Sequence, residues 1–230
     1  MSFEGRGALA IWCDIPARYE AAFNAWYTHE HVPERVAVPG FRRARRYVAA
    51  GRHASQKYFT LYEVDSPAVL ASAPYLERLE RPTEATRRMV ARFERNVRAV
   101  FRVAGSWGRG VGGWLLTAAV TGVGGGDPPD RTADAAGLLG WDEVVGVHLL
   151  EADPETARAK DRTAEGRIAA GEASAPSWVL LVETASGAAL PRLEQALAEG
   201  RLPWRLPTPA GPAVGRYRLM YLLQPDGTSG

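Results

Sequence analysis

The sequence predicts an α+β protein: two tandem ferredoxin-like β-α-β-β-α-β units packing sheet to sheet as an intrachain α+β barrel. Three observations carry this. Short apolar or alternating runs of strand length recur along the 230 residues. Stretches with helical periodicity separate them in the order β-α-β-β-α-β. The same order returns after residue 108. One such unit covers one sheet face with its helices and leaves the other apolar, so two units in one chain can bury each other's open faces. The expected division is 1–108 for an N-terminal unit and 109–230 for a degenerate C-terminal one.

The elements follow in order. "ALAIWCDI" (8–15) is a mostly apolar run of buried-strand type, with Cys13 as a small core residue. "PARYEAAFNAWYTHEHVPERVAV" is helical: Pro16 suits a first turn, and Tyr19, Phe23, Trp26 and Tyr27 repeat at helical spacing. Pro33 is expected to end this helix, with a turn at Pro39-Gly40. "FRRARRYVAA" (41–50) and "KYFTLYEV" (57–64) form a hairpin. In the second run, Tyr58, Thr60, Tyr62 and Val64 share one face, and Phe59, Leu61 and Glu63 the other. A helical stretch broken near Pro74 and Pro82 leads to a fourth strand, "NVRAVFRVAG" (96–105).

The second half repeats the order without visible sequence identity. Strands are expected at 113–122, 143–152, 177–185 and 214–225, with a short, poor helix in "RTADAAGLLG" and a better one in "GAALPRLEQALAEG", closed by Gly200. The long connection "DPETARAKDRTAEGRIAAGEASAP" is expected to form an extra helix or a lid.

Composition narrows the function. Net charge is only +2, and no stripe of basic residues alternates with exposed aromatics, so no nucleic-acid partner is expected. The single cysteine allows no intrachain disulfide and suits a reducing cytoplasm. No apolar run reaches the ~18 residues of a membrane span, and the N-terminus lacks a signal-peptide pattern. The glycine-rich stretches "GRGVGG" and "GVGGGD" do not lead from a strand into a good helix, so they are not dinucleotide fingerprints.

The first half resembles the dimeric α+β barrel superfamily, and within it EthD-like and related uncharacterised bacterial families. The resemblance spans about residues 8–104 and lies in Trp26, Tyr27, Glu30, His31, Val32, Pro33, Pro39, Gly40, Phe41, Arg46, Tyr47, Tyr58, Leu61, Tyr62 and Glu63. It implies a barrel with a partly apolar cavity. Relatives in that superfamily include cofactor-free monooxygenases, lactone isomerases, polyketide cyclases, dehydratases and haem enzymes. The second half has no W-Y-x-x-x-H-V-P equivalent, so a site using that motif occurs once per chain.

Helical geometry sorts the motif. At roughly 100° per residue, Glu30 falls near the middle of the buried face, and His29 and His31 fall on opposite flanks. Histidines two apart on a helix diverge, so no metal site is expected. A core-facing Glu30 needs a partner or a wet cavity. Either it pairs as fold glue, or it works with His31. The expected catalytic residues are His31 as acid/base, Glu30 as its orienter or a second acid/base, and Tyr47 and Tyr62 polarising a substrate oxygen. Trp26, Tyr27, Tyr58 and Arg46 are expected to bind the substrate, Arg46 holding an anionic group. His53 is expected on an exposed loop. His148, within an apolar strand, is either a satisfied core histidine or a haem ligand.

These readings point to a small cytoplasmic enzyme of catabolism or secondary metabolism. It would perform cofactor-independent isomerase, lyase or cyclase chemistry on a small-molecule substrate, as a pseudo-dimeric monomer or a homodimer. A haem-binding or oxidative barrel enzyme and a non-catalytic ligand-binding or assembly protein remain the alternatives.

Overall fold

A computed structural model describes residues 3–51, 54–122, 135–141, 143–169, 174–202 and 212–226. Eight antiparallel strands close into one barrel. They are β1 (Gly7–Asp14), β2 (Phe41–Ala49), β3 (Tyr58–Val64), β4 (Glu94–Gly108), β5 (Trp114–Val120), β6 (Val144–Ala152), β7 (Trp178–Thr184) and β8 (Ala213–Leu223). The order around the barrel is β1-β3-β2-β8-β5-β7-β6-β4. Each half therefore contributes a four-stranded sheet, β4-β1-β3-β2 and β8-β5-β7-β6. The sheets join edge to edge, β2 with β8 and β4 with β6, so neither keeps an unpaired edge.

Strand alternation divides the core into three. Inside the barrel lie Ala8, Ala10, Trp12, Tyr47, Phe59, Leu61, Phe101, Leu115, Leu181 and Tyr217. Outside the first sheet, Leu9, Ile11, Tyr58, Tyr62 and Val100 pack against the first half's helices. Outside the second sheet, Leu116, Ala118, Leu180 and Val182 pack under α7 (Ala189–Ala198). The β3 alternation is the expected one. In β2 the pairing slips between Phe41 and Arg43, where two steps along β2 match one along β3. This bulge turns every later side chain over. Phe41 and Ala44 thus both face the helices, and Tyr47 faces the barrel interior.

The first helical segment runs through α1 (Glu20–Trp26), a π-helical turn (Tyr27–His31) and α2 (Val32–Val36). Pro33 does not end it. It sits in the first turn of α2, directly after the π turn, where one missing N–H is tolerated. The chain reverses at Pro39-Gly40 with a bond from Phe41 N–H to the Val38 carbonyl (3.1 Å). Gly40 has φ +91°, and a Cβ there would come within 2.7 Å of Val69 Cγ2. Helices α3 (Ala73–Glu80) and α4 (Glu84–Val90) complete the first half's helical layer. Gly200 follows α7 at φ +64°.

The long connection between β6 and β7 forms α5 (Pro154–Ala157), a tight turn (Arg158–Arg162) and α6 (Ala164–Ile168). It crosses the β4–β6 seam and packs on α3 and α4 of the other half. His53 and residues 131–134 of the expected helix after β5 lie outside the described residues, and the rest of that helix is short and ends in a 3-10 turn (Gly137–Gly140). No helix among the described residues is long and apolar enough to cross a membrane.

Candidate functional site

The site is made by the π turn. An α-helix repeats its hydrogen bond every four residues and a π turn every five. Here Val32 N–H donates to the Tyr27 carbonyl, which also accepts the Tyr221 hydroxyl at 3.2 Å. One extra residue per turn moves His31 into the place below Trp26 that Glu30 would hold in an α-helix. The His31 ring lies 4.4 Å from the Trp26 ring and 5.1 Å from that of Tyr27, and only 4% of the residue is exposed. Burial, then the nearby Arg35 and Arg46, hold its pKa well below the ordinary value. His31 is therefore neutral at pH 7, and its Nδ1 has no hydrogen-bond partner.

Glu30 turns to the flank. It is half-buried and accepts a hydrogen bond from Thr83 Oγ1, the N-cap of α4. No hydrogen bond joins it to His31 among the described residues. His29 is exposed. Trp26 also ties to α4, donating from Nε1 to Thr86 Oγ1 (3.3 Å).

The other expected residues separate. Tyr62 shares a cavity wall with His31; its hydroxyl is buried without a partner, and burial raises its pKa well above the ordinary value. Tyr58 is spent on α1: it donates to Glu20 Oε1 and accepts from Asn24 Nδ2 (3.2 Å). Tyr47 lies across the sheet, inside the barrel, because of the β2 bulge. Arg46 is 1% exposed and stacks over Phe23, Tyr27 and Tyr58, with its carbon centre 4.4 Å from the Tyr27 ring centroid. Its Nη2 donates to Asn24 Oδ1 (2.7 Å). It acts here as an aromatic-caged cation next to the site.

A cavity of about 30 Å³ lies between the first sheet and its helices. That is room for about one water. Its polar lining comprises His31, Arg35, Tyr62, Tyr75, Asn96 and Arg98, joined by Lys160 and Glu165 from the long connection. Glu165 reaches across to form a buried ion pair with Arg35 Nη2. Around it, Ala164 N–H and Arg167 bind Glu80. The expected lid is thus a roof over the other half's site. Sequence reasoning missed Arg35, Arg98, Lys160 and Glu165. Arg35 lies on the helical repeat four residues past His31, Arg98 is carried in by the pairing of β4 with β1, and Lys160 and Glu165 arrive only by docking of the long connection.

A second polar cluster fills the barrel interior. Arg45 contacts Glu63 Oε1 from Nε (2.7 Å) and donates to Glu183 from Nη1. Glu63 also accepts from Arg43 (3.0 and 2.7 Å) and from Glu4 N–H (2.6 Å). Glu183 accepts from Gly112 N–H (2.7 Å) and bonds His148 Nε2 (2.8 Å), while His148 Nδ1 meets Ser106 Oγ (2.9 Å). Burial would raise the Glu183 pKa, but Arg45 and His148 outweigh it and pull it to about 2. Both His148 nitrogens are engaged, so this histidine does not fit the part of a haem ligand. Every charge in the cluster has a counter-charge, as a fold element requires. No group of His, Cys, Asp and Glu among the described residues could hold a metal ion.

No family model matches the chain, and no curated protein does. Solved structures do. An anthrone oxidase-like protein superposes with a TM-score of 0.62 at 10% identity, covering 97% of this chain and 95% of that one. A provisionally assigned monooxygenase from Fusobacterium nucleatum gives 0.55 at 6% identity, covering 98% and 97%. Another from Lactobacillus acidophilus gives 0.53 at 7% identity, covering 96% and 97%. At these identities the likeness is one of fold. The chain has the fold of the α+β barrels over nearly its full length.

Proposed function

We propose that the chain is a barrel enzyme that removes a proton from a small enolisable or phenolic substrate, with His31 as the base. The observation that carries this is a pair of unused polar atoms on two residues that line one cavity: neutral His31 Nδ1 and protonated Tyr62 Oη, both buried and unpartnered. A buried polar group without a partner costs about 1–3 kcal/mol. Two of them on the lining of one space are groups that the acidic, oxygen-bearing end of a ligand would satisfy.

The steps follow from the residues. The substrate proton passes to the His31 imidazole. Negative charge develops on the substrate oxygen, which accepts from the Tyr62 hydroxyl and lies beside the Arg35 guanidinium. Tyr62 stays protonated because its pKa is raised, so it donates throughout. Trp26 and Tyr27 fix the imidazole plane. Glu30 and Tyr58 hold the helices, and Tyr47 packs the barrel. No organic cofactor is required for this step. The anion can be reprotonated elsewhere, as in an isomerase, or lose a leaving group, as in a lyase.

The solved neighbours favour a second reading of the same first step. Their names, anthrone oxidase-like and monooxygenase, describe oxidation, and a carbanion formed at His31 is a reductant for dioxygen. The test for both is exchange of the acidic C–H of candidate ketones and phenols in D2O, with oxygen uptake recorded in parallel. His31→Asn should slow exchange ~100-fold or more, the usual contribution of a general base. Exchange by this variant at the wild-type rate would sink both readings.

A further inference from the structure

Arg98 belongs to two spaces at once. It lines the 30 Å³ cavity beside His31 and Tyr62. It also lines an open cleft of about 520 Å³ along the β4–β6 seam, with Arg158, Trp178 and the carboxylates of Glu151, Asp153 and Asp161. The first space holds no more than a water, while the second has the size of a small-molecule site. Among the described residues, Arg98 is the one common to the linings of both.

The way Arg98 is held fits a movable part. It is 9% exposed. Its Nη2 donates to the Tyr75 hydroxyl at 3.3 Å, and its Nη1 reaches the Ala157 carbonyl at 3.5 Å. Both contacts are long and neutral. No carboxylate lies within ion-pair distance of Arg98 among the described residues, although Arg35 beside it has Glu165. A guanidinium in a nearly closed site, held by two weak neutral contacts, is a receptor for an anion that the chain does not provide.

On the sheet the placement is direct. Arg98 pairs with Ile11 in β1, and Ile11 pairs with Thr60 in β3. Tyr62 is two residues further along β3 on the same face. A ligand bound to Arg98 by one end therefore reaches Tyr62 and His31 across about two strand spacings, roughly 10 Å.

We propose that Arg98 is both gate and anion receptor: the substrate carries a carboxylate, enters by the seam cleft, and binds Arg98 by that carboxylate while its acidic end reaches His31. This rests on the proton-transfer reading of the site and adds the substrate class, an aryl or enolisable carboxylic acid. The cleft wall comes from both halves of the chain, with β4 on one side and the connection after β6 on the other.

Benzoate and benzamide test it, being matched in shape and unlike in charge. Binding to the full chain is followed by the ring resonances of His31, one of four histidines. Wild type should bind benzoate at least 10-fold more tightly than benzamide, with the His31 signal shifting on saturation. Arg98→Met should abolish that preference by weakening benzoate, and Arg98→Lys should retain part of it. Equal binding of the two probes by wild type would overturn the proposal without any variant. So would a His31 signal that neither probe moves, or benzoate binding by Arg98→Met at wild-type strength. The charge preference is independent of the exchange rate, so loss of the proton-transfer reading through His31→Asn is a separate result.

Discussion

The two halves share a frame and differ in what they attach to it. Glu63 and Glu183 are each the sixth residue of their half's third strand. Arg45 and His148 are each the fifth residue of the second strand. Each glutamate accepts a backbone N–H from just before its own half's first strand, Glu4 in one case and Gly112 in the other. The polar centre of the barrel is therefore built twice from matching positions. The divergence lies in the hairpin connection: residues 50–57 in the first half, 153–177 in the second. The longer one leaves its own half and roofs the site of the other. Stability sits where the halves agree, and the candidate chemistry sits where they do not.

The largest effect should come from breaking the shared centre. Glu183→Ala strips Arg45 of one carboxylate and His148 of its Nε2 partner, and should cost about 3–5 kcal/mol in urea unfolding. Glu63→Ala, its counterpart, should fall in the same range. If one were near neutral, the two halves would not be equivalent where their geometry says they are. Opening the roof should be milder and local. Glu165→Gln removes the nearer of two counter-charges of Arg35, Glu34 being the other, and should cost about 2 kcal/mol. Amide exchange across 154–169 should then accelerate roughly 30-fold, with the β-barrel amides unchanged.

Acid should distinguish the halves again. His31 and His148 both have depressed pKa values, burial being the main cause. As pH falls below about 6.5 the unfolded chain takes up protons that the native histidines refuse. Stability should fall with a slope of up to about 1.4 kcal/mol per pH unit for each histidine. His31→Asn should flatten the part that belongs to the site. Glu183 acts in a lower window: its stabilisation is present above about 4.5 and is lost as pH falls toward 2. The smallest effect concerns the π turn. Tyr221→Phe removes the hydroxyl bonded to the Tyr27 carbonyl and should cost about 1 kcal/mol by thermal melting.

Much of the frame was legible because strands announce themselves locally. All eight strands correspond to apolar or alternating runs, and "YFTLYEV" displayed its two faces correctly. The site was legible as a neighbourhood and misphased in detail. A helical wheel assumes an α-helix throughout, so one π turn moved His31 inward and Glu30 outward. Alternation assumes an unbroken register, so one bulge after Phe41 sent Tyr47 to the other face. In the connection after β6 an extra helix was legible, but the place where it docks was not. Nothing local in "ARAKDRTAEGR" says that Lys160 and Glu165 will dock on the opposite half.

Arg45 has a consequence for how the molecule could be divided. It belongs to the first half, and one of its two counter-charges belongs to the second. A chain severed between β4 and β5 would give two polypeptides, each with two raw strand edges. A pair of C-terminal fragments would bury two glutamates with only histidines to face them. A mixed pair would restore the guanidinium. The fragments are therefore biased by charge toward each other, which makes this single chain a natural candidate for a split reporter. Its reassembly could be scored by the return of the Trp26–His31 ring contact.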